Sequence, residues 1–135
     1  MAITPNVVSL QNMEVGVAGP DGANTMFITT GLAKASLFIS SGSRKENFAV
    51  HVGPSLTAGQ FRRSIATASL AEIQFGDFST TKVDRMRWEI EEVDADFDDE
   101  LNLVELRFTL EIEASSASQT FLQTVSFTVT TLAET

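Results

Sequence analysis

The chain has 135 residues, of which 43% are hydrophobic and 20% are charged, with a formal net charge of -9 and no cysteine. This composition is that of a folded globular protein, and it excludes disulfide bonds, thiolate nucleophiles and cysteine-ligated metal sites. Because only nine lysine and arginine residues oppose eighteen acidic ones, we expect no direct binding of nucleic acid, which needs clustered basic side chains.

The length suits one core, so residues 1–135 are expected to form a single β-rich domain. No stretch approaches the roughly 18 apolar residues of a membrane-spanning helix, and the first ten residues lack the basic and apolar regions of a signal peptide. We therefore expect no membrane insertion, and a protein that is cytoplasmic when synthesised and can then be assembled into a virion or other particle.

The first part of the chain predicts strands separated by turns. Residues 3–17 carry two short apolar runs, and Gly19-Pro20-Asp21-Gly22 has the residue types of a chain reversal. Thr, Ile, Phe and Leu residues follow, and the simplest interpretation of residues 35–52 is a β-hairpin. His51, the only histidine, lies on a strand of this hairpin. We assign it no role, because a lone strand histidine is usually a surface or packed neutral side chain.

Residues 57–70 allow two interpretations. Thr57 and Gln60 fit the capping box of a helix, and apolar residues follow at spacings of three or four. Residues 65–75 fit equally well a strand built largely from small residues. The sequence therefore predicts at most one short helix, near residues 57–70.

Arg85 to Leu132 predicts three long strands, because apolar residues occupy every second position in three successive runs. We predict a two-residue turn at Asp98-Asp99 and a single-residue bulge near Glu91-Glu92. This register places Ile90, Trp88 and Met86 opposite Leu106, Phe108 and Leu110. The predicted fold is an antiparallel β-sandwich or flattened barrel of mainly β structure, with a long C-terminal three-stranded meander.

The most acidic segment, residues 94–100, lies between the first two strands of this meander. Asp94 to Glu105 partly resembles a twelve-residue EF-hand loop, in which Asp94, Asp96 and Asp98 take positions one, three and five and Glu105 takes position twelve. The resemblance implies a calcium site formed by these four carboxylates. Asp99 stands where such a loop needs glycine, and the flanks alternate with period two instead of forming helices. The alternative is a charged hairpin tip that discourages edge association.

Catalytic residues are not evident. The carboxylate pairs Glu91-Glu92 and Asp98-Asp99 lie at the predicted bulge and at an exposed tip, where burial would not tune their pKa values. The chain has one histidine, no cysteine and no tyrosine, and it lacks the common nucleophile, phosphate-loop and metalloprotease motifs. We therefore expect no enzyme, no small-molecule substrate and no cofactor other than the calcium ion considered above.

The expected function is that of a non-catalytic structural or assembly subunit of a multimeric particle, such as a phage virion or a tail-like apparatus, acting through self-association or protein partners. Long strands with Thr-rich faces and a protruding charged hairpin are common docking devices. Residues 91–130, less than a third of the chain, resemble the acidic-tipped β-meanders at the ends of small phage tail and baseplate subunits. The alternative is a small ligand-binding β module, whose ligand would be calcium, bound through the acidic hairpin loop, or a carbohydrate.

Overall fold

The computed structural model describes residues 2–19, 22–39, 42–76, 86–114 and 119–134. These residues form seven strands: β1 (Asn6–Gly19), β2 (Gly22–Ile39), β3 (Gly42–Ser55), β4 (Phe61–Gly76), β5 (Met86–Asp98), β6 (Leu103–Ala114) and β7 (Gln119–Glu134). Within the described ranges the chain forms no helix, and hence none with the length and apolarity needed to cross a membrane.

The strands form two antiparallel sheets that pack face to face, as predicted for a β-sandwich. One sheet has the order β1-β2-β7-β4 and the other has the order β3-β6-β5. Alternate side chains of each strand point into the core between the sheets, where the rings of Phe48 and Phe108 stack at a centroid distance of 5.4 Å. The other almost completely buried side chains include Leu37, Leu106, Leu110, Ile112, Leu122, Val125 and Val129.

The prediction of a C-terminal three-stranded meander is wrong in one respect, because β7 is not hydrogen-bonded to β6. Strands β5 and β6 form the predicted hairpin, whereas β7 lies in the opposite sheet between β2 and β4. Val125, Phe127 and Val129 of β7 are buried, as expected, but they face β6 across the core instead of beside it. The hairpin predicted over residues 35–52 is also wrong, since β2 and β3 belong to different sheets.

The capping-box residues form a turn but no helix. The Thr57 backbone N–H donates to Gln60 Oε1 (3.0 Å), and the Gln60 N–H donates to Thr57 Oγ1 (3.3 Å), which is the reciprocal pattern of a capping box. The Phe61 N–H donates to the Thr57 carbonyl, after which the chain enters β4. Pairing of β4 with β7 therefore overrides the local helix signal, and the strand interpretation of this region is correct.

The bulge in β5 lies where it was predicted, between Glu91 and Asp94, and Glu92 adopts a φ of 54° there. The pairing partners differ from the prediction: Ile90 lies opposite Leu110, and Trp88 lies opposite Ile112. The cause is the turn, which spans four residues, 99–102, with Asn102 at a φ of 57°. Because the shift from Leu106 to Leu110 is an even number of residues, every side chain keeps its predicted face.

Strand β1 extends beyond the three-stranded sheet. All but one of its fourteen residues are exposed, and its contacts are mainly with β2. Residues Gly19 and Gly22 pair at the end of the β1–β2 ladder, while Pro20 and Asp21 of the predicted turn lie outside the described residues. Among the described residues, no strand pairs with the second edge of β1.

Candidate functional site

The outer face of the three-stranded sheet is strongly charged. Alternation with the buried residues of β3, β5 and β6 directs the polar side chains to this face. The acidic residues on it include Glu89, Glu91, Asp94, Asp96, Glu105, Glu111 and Glu113, and the basic residues include Lys45, Arg87 and Arg107. Acidic groups outnumber basic ones here, so this face carries much of the net negative charge of the chain.

Several carboxylates of this face are held in ion pairs. Glu91 Oε1 lies 2.7 Å from Lys45 Nζ, and this hydrogen bond raises the pKa of the Lys45 ammonium above its usual value. Arg87 contacts both Glu111 (2.7 Å) and Glu113 (3.3 Å). The carboxylates of Glu91, Glu111 and Glu113 are therefore all engaged by basic side chains of the same face.

Residues 94–105 do not form a twelve-residue loop. Asp94, Asp96 and Asp98 belong to β5, and Glu105 belongs to β6. Alternate side chains on one face of a strand are about 7 Å apart, so the three aspartates are spread along β5 instead of converging on one point. Calcium binding by Asp94, Asp96, Asp98 and Glu105 stays a prediction, without the flanking helices that an EF-hand would have.

The structure does bring two of these four residues together, and it adds a third residue. Asp98 Oδ2 lies 2.9 Å from His51 Nε2, and Glu105 Oε2 lies 3.4 Å from the same nitrogen. Asp96 is the cross-strand neighbour of Glu105, whereas Asp94 lies opposite Arg107. We name His51, Asp98 and Glu105 the histidine–carboxylate cluster.

His51 has no sequence signal that marks it as part of this cluster. It lies 47 positions before Asp98, and pairing of β3 with β6 places it opposite Glu105. The hydrogen bond with His51 is the main reason that the pKa of the Asp98 carboxyl lies below its usual value. Alternation did place His51 on the face opposite Val50, but only the β3–β6 register puts that face beside the acidic turn.

The four-stranded sheet has a different outer face, with an apolar band and a hydroxyl band. Two rows of cross-strand neighbours form the apolar band. One row contains Val15, Met26 and Leu132 and ends at Arg63. The other contains Met13, Ile28 and Ile65, with Thr130 between the last two. The next two rows are mainly polar, and apart from Leu32 they consist of Ser9, Gln11, Thr30, Thr67, Ser69, Ser126 and Thr128. Met13 and Ile65 are 60% and 65% exposed, so the apolar band is open to solvent.

Strand β1 forms one border of this apolar band. Its exposed large apolar side chains are Val8, Leu10, Met13, Val15 and Val17. Glu14 is the only charged residue in the strand. Strand β1 therefore combines a backbone edge that no described strand pairs with, exposed apolar side chains and almost no charge.

Comparison of the chain with protein-family models, with curated proteins and with solved structures finds no match. The histidine–carboxylate cluster and the edge strand β1 are therefore the features from which a function has to be inferred.

Proposed function

We propose that this protein is a non-catalytic structural subunit that self-associates through β1 as part of a multimeric particle. The observation that carries the proposal is that β1 overhangs the sandwich with a free edge and exposed apolar side chains. Natural proteins normally shorten, charge or cover such an edge, because its unpaired N–H and C=O groups are a template for another strand. An uncovered edge of this length is an association surface.

A second copy of the chain is the partner that the charges favour. The chain carries a net charge of -9, so two copies repel each other wherever acidic surfaces meet. Strand β1 has one carboxylate and lies in the sheet opposite the acidic face. Contact through β1 therefore allows two copies to meet with little repulsion.

The size of the edge is sufficient for a specific contact. Fourteen residues extend about 48 Å at about 3.4 Å per residue, and a sheet is about 10 Å thick, so edge pairing covers about 1,000 Å² over both copies. This area is at the lower limit for a specific interface.

The type of particle comes from the sequence alone: a phage virion or a tail-like apparatus is the proposed setting. The non-catalytic role is supported by the ion pairs that occupy Glu91, Glu111 and Glu113. Other protein partners would use the same edge, and they become relevant if the chain alone is monomeric.

Size-exclusion chromatography with light scattering tests self-association. The wild-type chain, 14.6 kDa as a monomer, is expected to show at least twice that mass as its concentration rises. Met13→Lys and Val15→Lys should each shift it towards the monomer, because a lysine on the apolar band charges the edge. Leu101→Lys is the matched control, since Leu101 is 57% exposed but lies at the tip of the other sheet.

A wild-type protein that is monomeric at every concentration would contradict self-association and would favour the ligand-binding alternative. An equal loss of mass in Leu101→Lys and Met13→Lys would show that added charge, and not β1, controls the association.

A further inference from the structure

The histidine–carboxylate cluster joins three strands at the outer surface of the three-stranded sheet. His51 comes from β3, Asp98 from the end of β5 and Glu105 from β6. One ligand atom from each side chain lies within 4.8 Å of the other two. The three side chains are partly buried, with Glu105 only 14% exposed.

Each carboxylate of the cluster is anchored through its other oxygen. Asp98 Oδ1 accepts hydrogen bonds from the backbone N–H groups of Glu100 (3.1 Å) and Leu101 (3.4 Å). Glu105 Oε1 accepts a hydrogen bond from Arg107 Nε. These contacts leave Asp98 Oδ2 and Glu105 Oε2 directed towards His51 Nε2, which is how outer contacts orient the ligands of a metal site.

The spacing of the three ligand atoms suits a small cation. Ligands at about 2.0–2.1 Å from a tetrahedral zinc ion are about 3.3 Å from one another. His51 Nε2 lies 2.9 Å from Asp98 Oδ2 and 3.4 Å from Glu105 Oε2, which is close to this separation, and the carboxylate oxygens lie within 4.8 Å of each other. Asp98 and Glu105 line a surface depression. Its lining also includes Asp96, Asp99 and Glu100, which add negative charge, and one basic residue, Arg107.

The imidazole nitrogen determines the class of metal. Calcium and magnesium prefer oxygen ligands throughout, whereas imidazole suits zinc and neighbouring transition metals. We propose that His51, Asp98 and Glu105 bind a divalent transition-metal ion of the zinc class, with water completing the coordination. The ion would link β3 to the β5–β6 hairpin next to its turn. This site is on the other sheet from β1 and does not depend on self-association.

Cobalt(II) provides a direct spectroscopic test, because its visible absorption reports the ligands around the ion. The purified full chain, first treated with a chelator, is titrated with Co²⁺, and then Zn²⁺ is added. We expect visible bands of a low-symmetry, four- or five-coordinate site that saturate at one ion per chain and disappear when Zn²⁺ displaces Co²⁺. Calorimetry should show Zn²⁺ binding at least tenfold more tightly than Ca²⁺.

His51→Gln removes the nitrogen ligand and keeps a polar side chain of similar length, and Asp99→Asn is the matched control on the same turn. His51→Gln should weaken Zn²⁺ binding at least tenfold, while Asp99→Asn should change it less than threefold. Circular dichroism of the metal-free variants checks that both are folded. Equal Zn²⁺ affinity of wild type and His51→Gln, or Ca²⁺ binding as tight as Zn²⁺ binding, would overturn the proposal in favour of a general acidic surface.

Discussion

At the residue scale, the histidine–carboxylate cluster and Gly31 are both defined by contacts between residues distant in sequence. Glu105 and Asp98 could be selected from the acidic segment by composition, but His51 could not, because its chemistry depends on the β3–β6 register. The sequence around a single histidine does not show which distant residues will lie beside it in the fold. The candidate metal site was therefore partly predictable: its oxygen ligands were among the residues selected, and its nitrogen ligand was not.

Gly31 lies opposite Phe127 in the centre of the four-stranded sheet. A Cβ atom at this position would lie 2.8 Å from Phe127 Cζ and would also overlap the Ser9 carbonyl oxygen, which is backbone and cannot rotate away. We therefore expect Gly31→Ala to lower the free energy of unfolding by about 1–3 kcal/mol, the usual cost of overpacking.

Urea denaturation measures this effect, and Gly16→Ala is the control. No atom lies within 4 Å of a Cβ built at Gly16, so that substitution should change the free energy of unfolding by less than about 0.5 kcal/mol. Equal urea midpoints for Gly31→Ala and wild type would show that Ser9 and Phe127 do not lie this close to Gly31.

At the element scale, strands were predicted well and their connections less well. Alternation indicated which face of β5, β6 and β7 is buried, and this holds in the structure. Alternation has a period of two, so it cannot distinguish registers that differ by four residues, and the β5–β6 register had to come from the turn. The available signal was Asn102, because asparagine is one of the few residues that readily adopts a positive φ at the end of a longer hairpin turn.

The turn gives a prediction for the β5–β6 hairpin. Asn102 has a φ of 57°, a conformation that costs β-branched residues most. Asn102→Val should lower the free energy of unfolding by about 1–2 kcal/mol, while Asn102→Gly should be neutral within about 0.5 kcal/mol.

Thermal unfolding monitored by circular dichroism checks both variants. Glu100→Val serves as a control, since Glu100 is in the same turn and is not among the residues with a positive φ. A two-residue turn at Asp98-Asp99 would predict the reverse order, with Asn102→Val tolerated inside a strand.

At the scale of the whole molecule, the β-sandwich was predicted but the placement of β7 was not. A strand with one buried face can bury its apolar side chains equally well in two positions. It can lie beside β6 in the same sheet, or it can face β6 from the opposite sheet. The hydrogen bonds of β7 to both β2 and β4 determine its position, and both of these partners precede β5 in the chain. The same arrangement leaves β1 at the border of a four-stranded sheet that faces only three strands.

This mismatch in strand number is the central feature of the fold, because it exposes both faces and one edge of β1. A neighbouring strand from a second copy would satisfy the free N–H and C=O groups, and it would extend the apolar band across the new pair. Stacking of two outer faces would bury the apolar band but would leave the free edge of β1 exposed to water. The two modes of association therefore differ in which backbone groups they protect.

Hydrogen–deuterium exchange at increasing protein concentration distinguishes these modes most directly. We predict that the β1 amides that do not donate to β2 exchange rapidly in dilute solution and become protected as the copies associate, while amides of the β5–β6 hairpin do not change. Met13→Lys should abolish this concentration dependence. Rapid exchange of those β1 amides at every concentration would contradict association through the β1 edge.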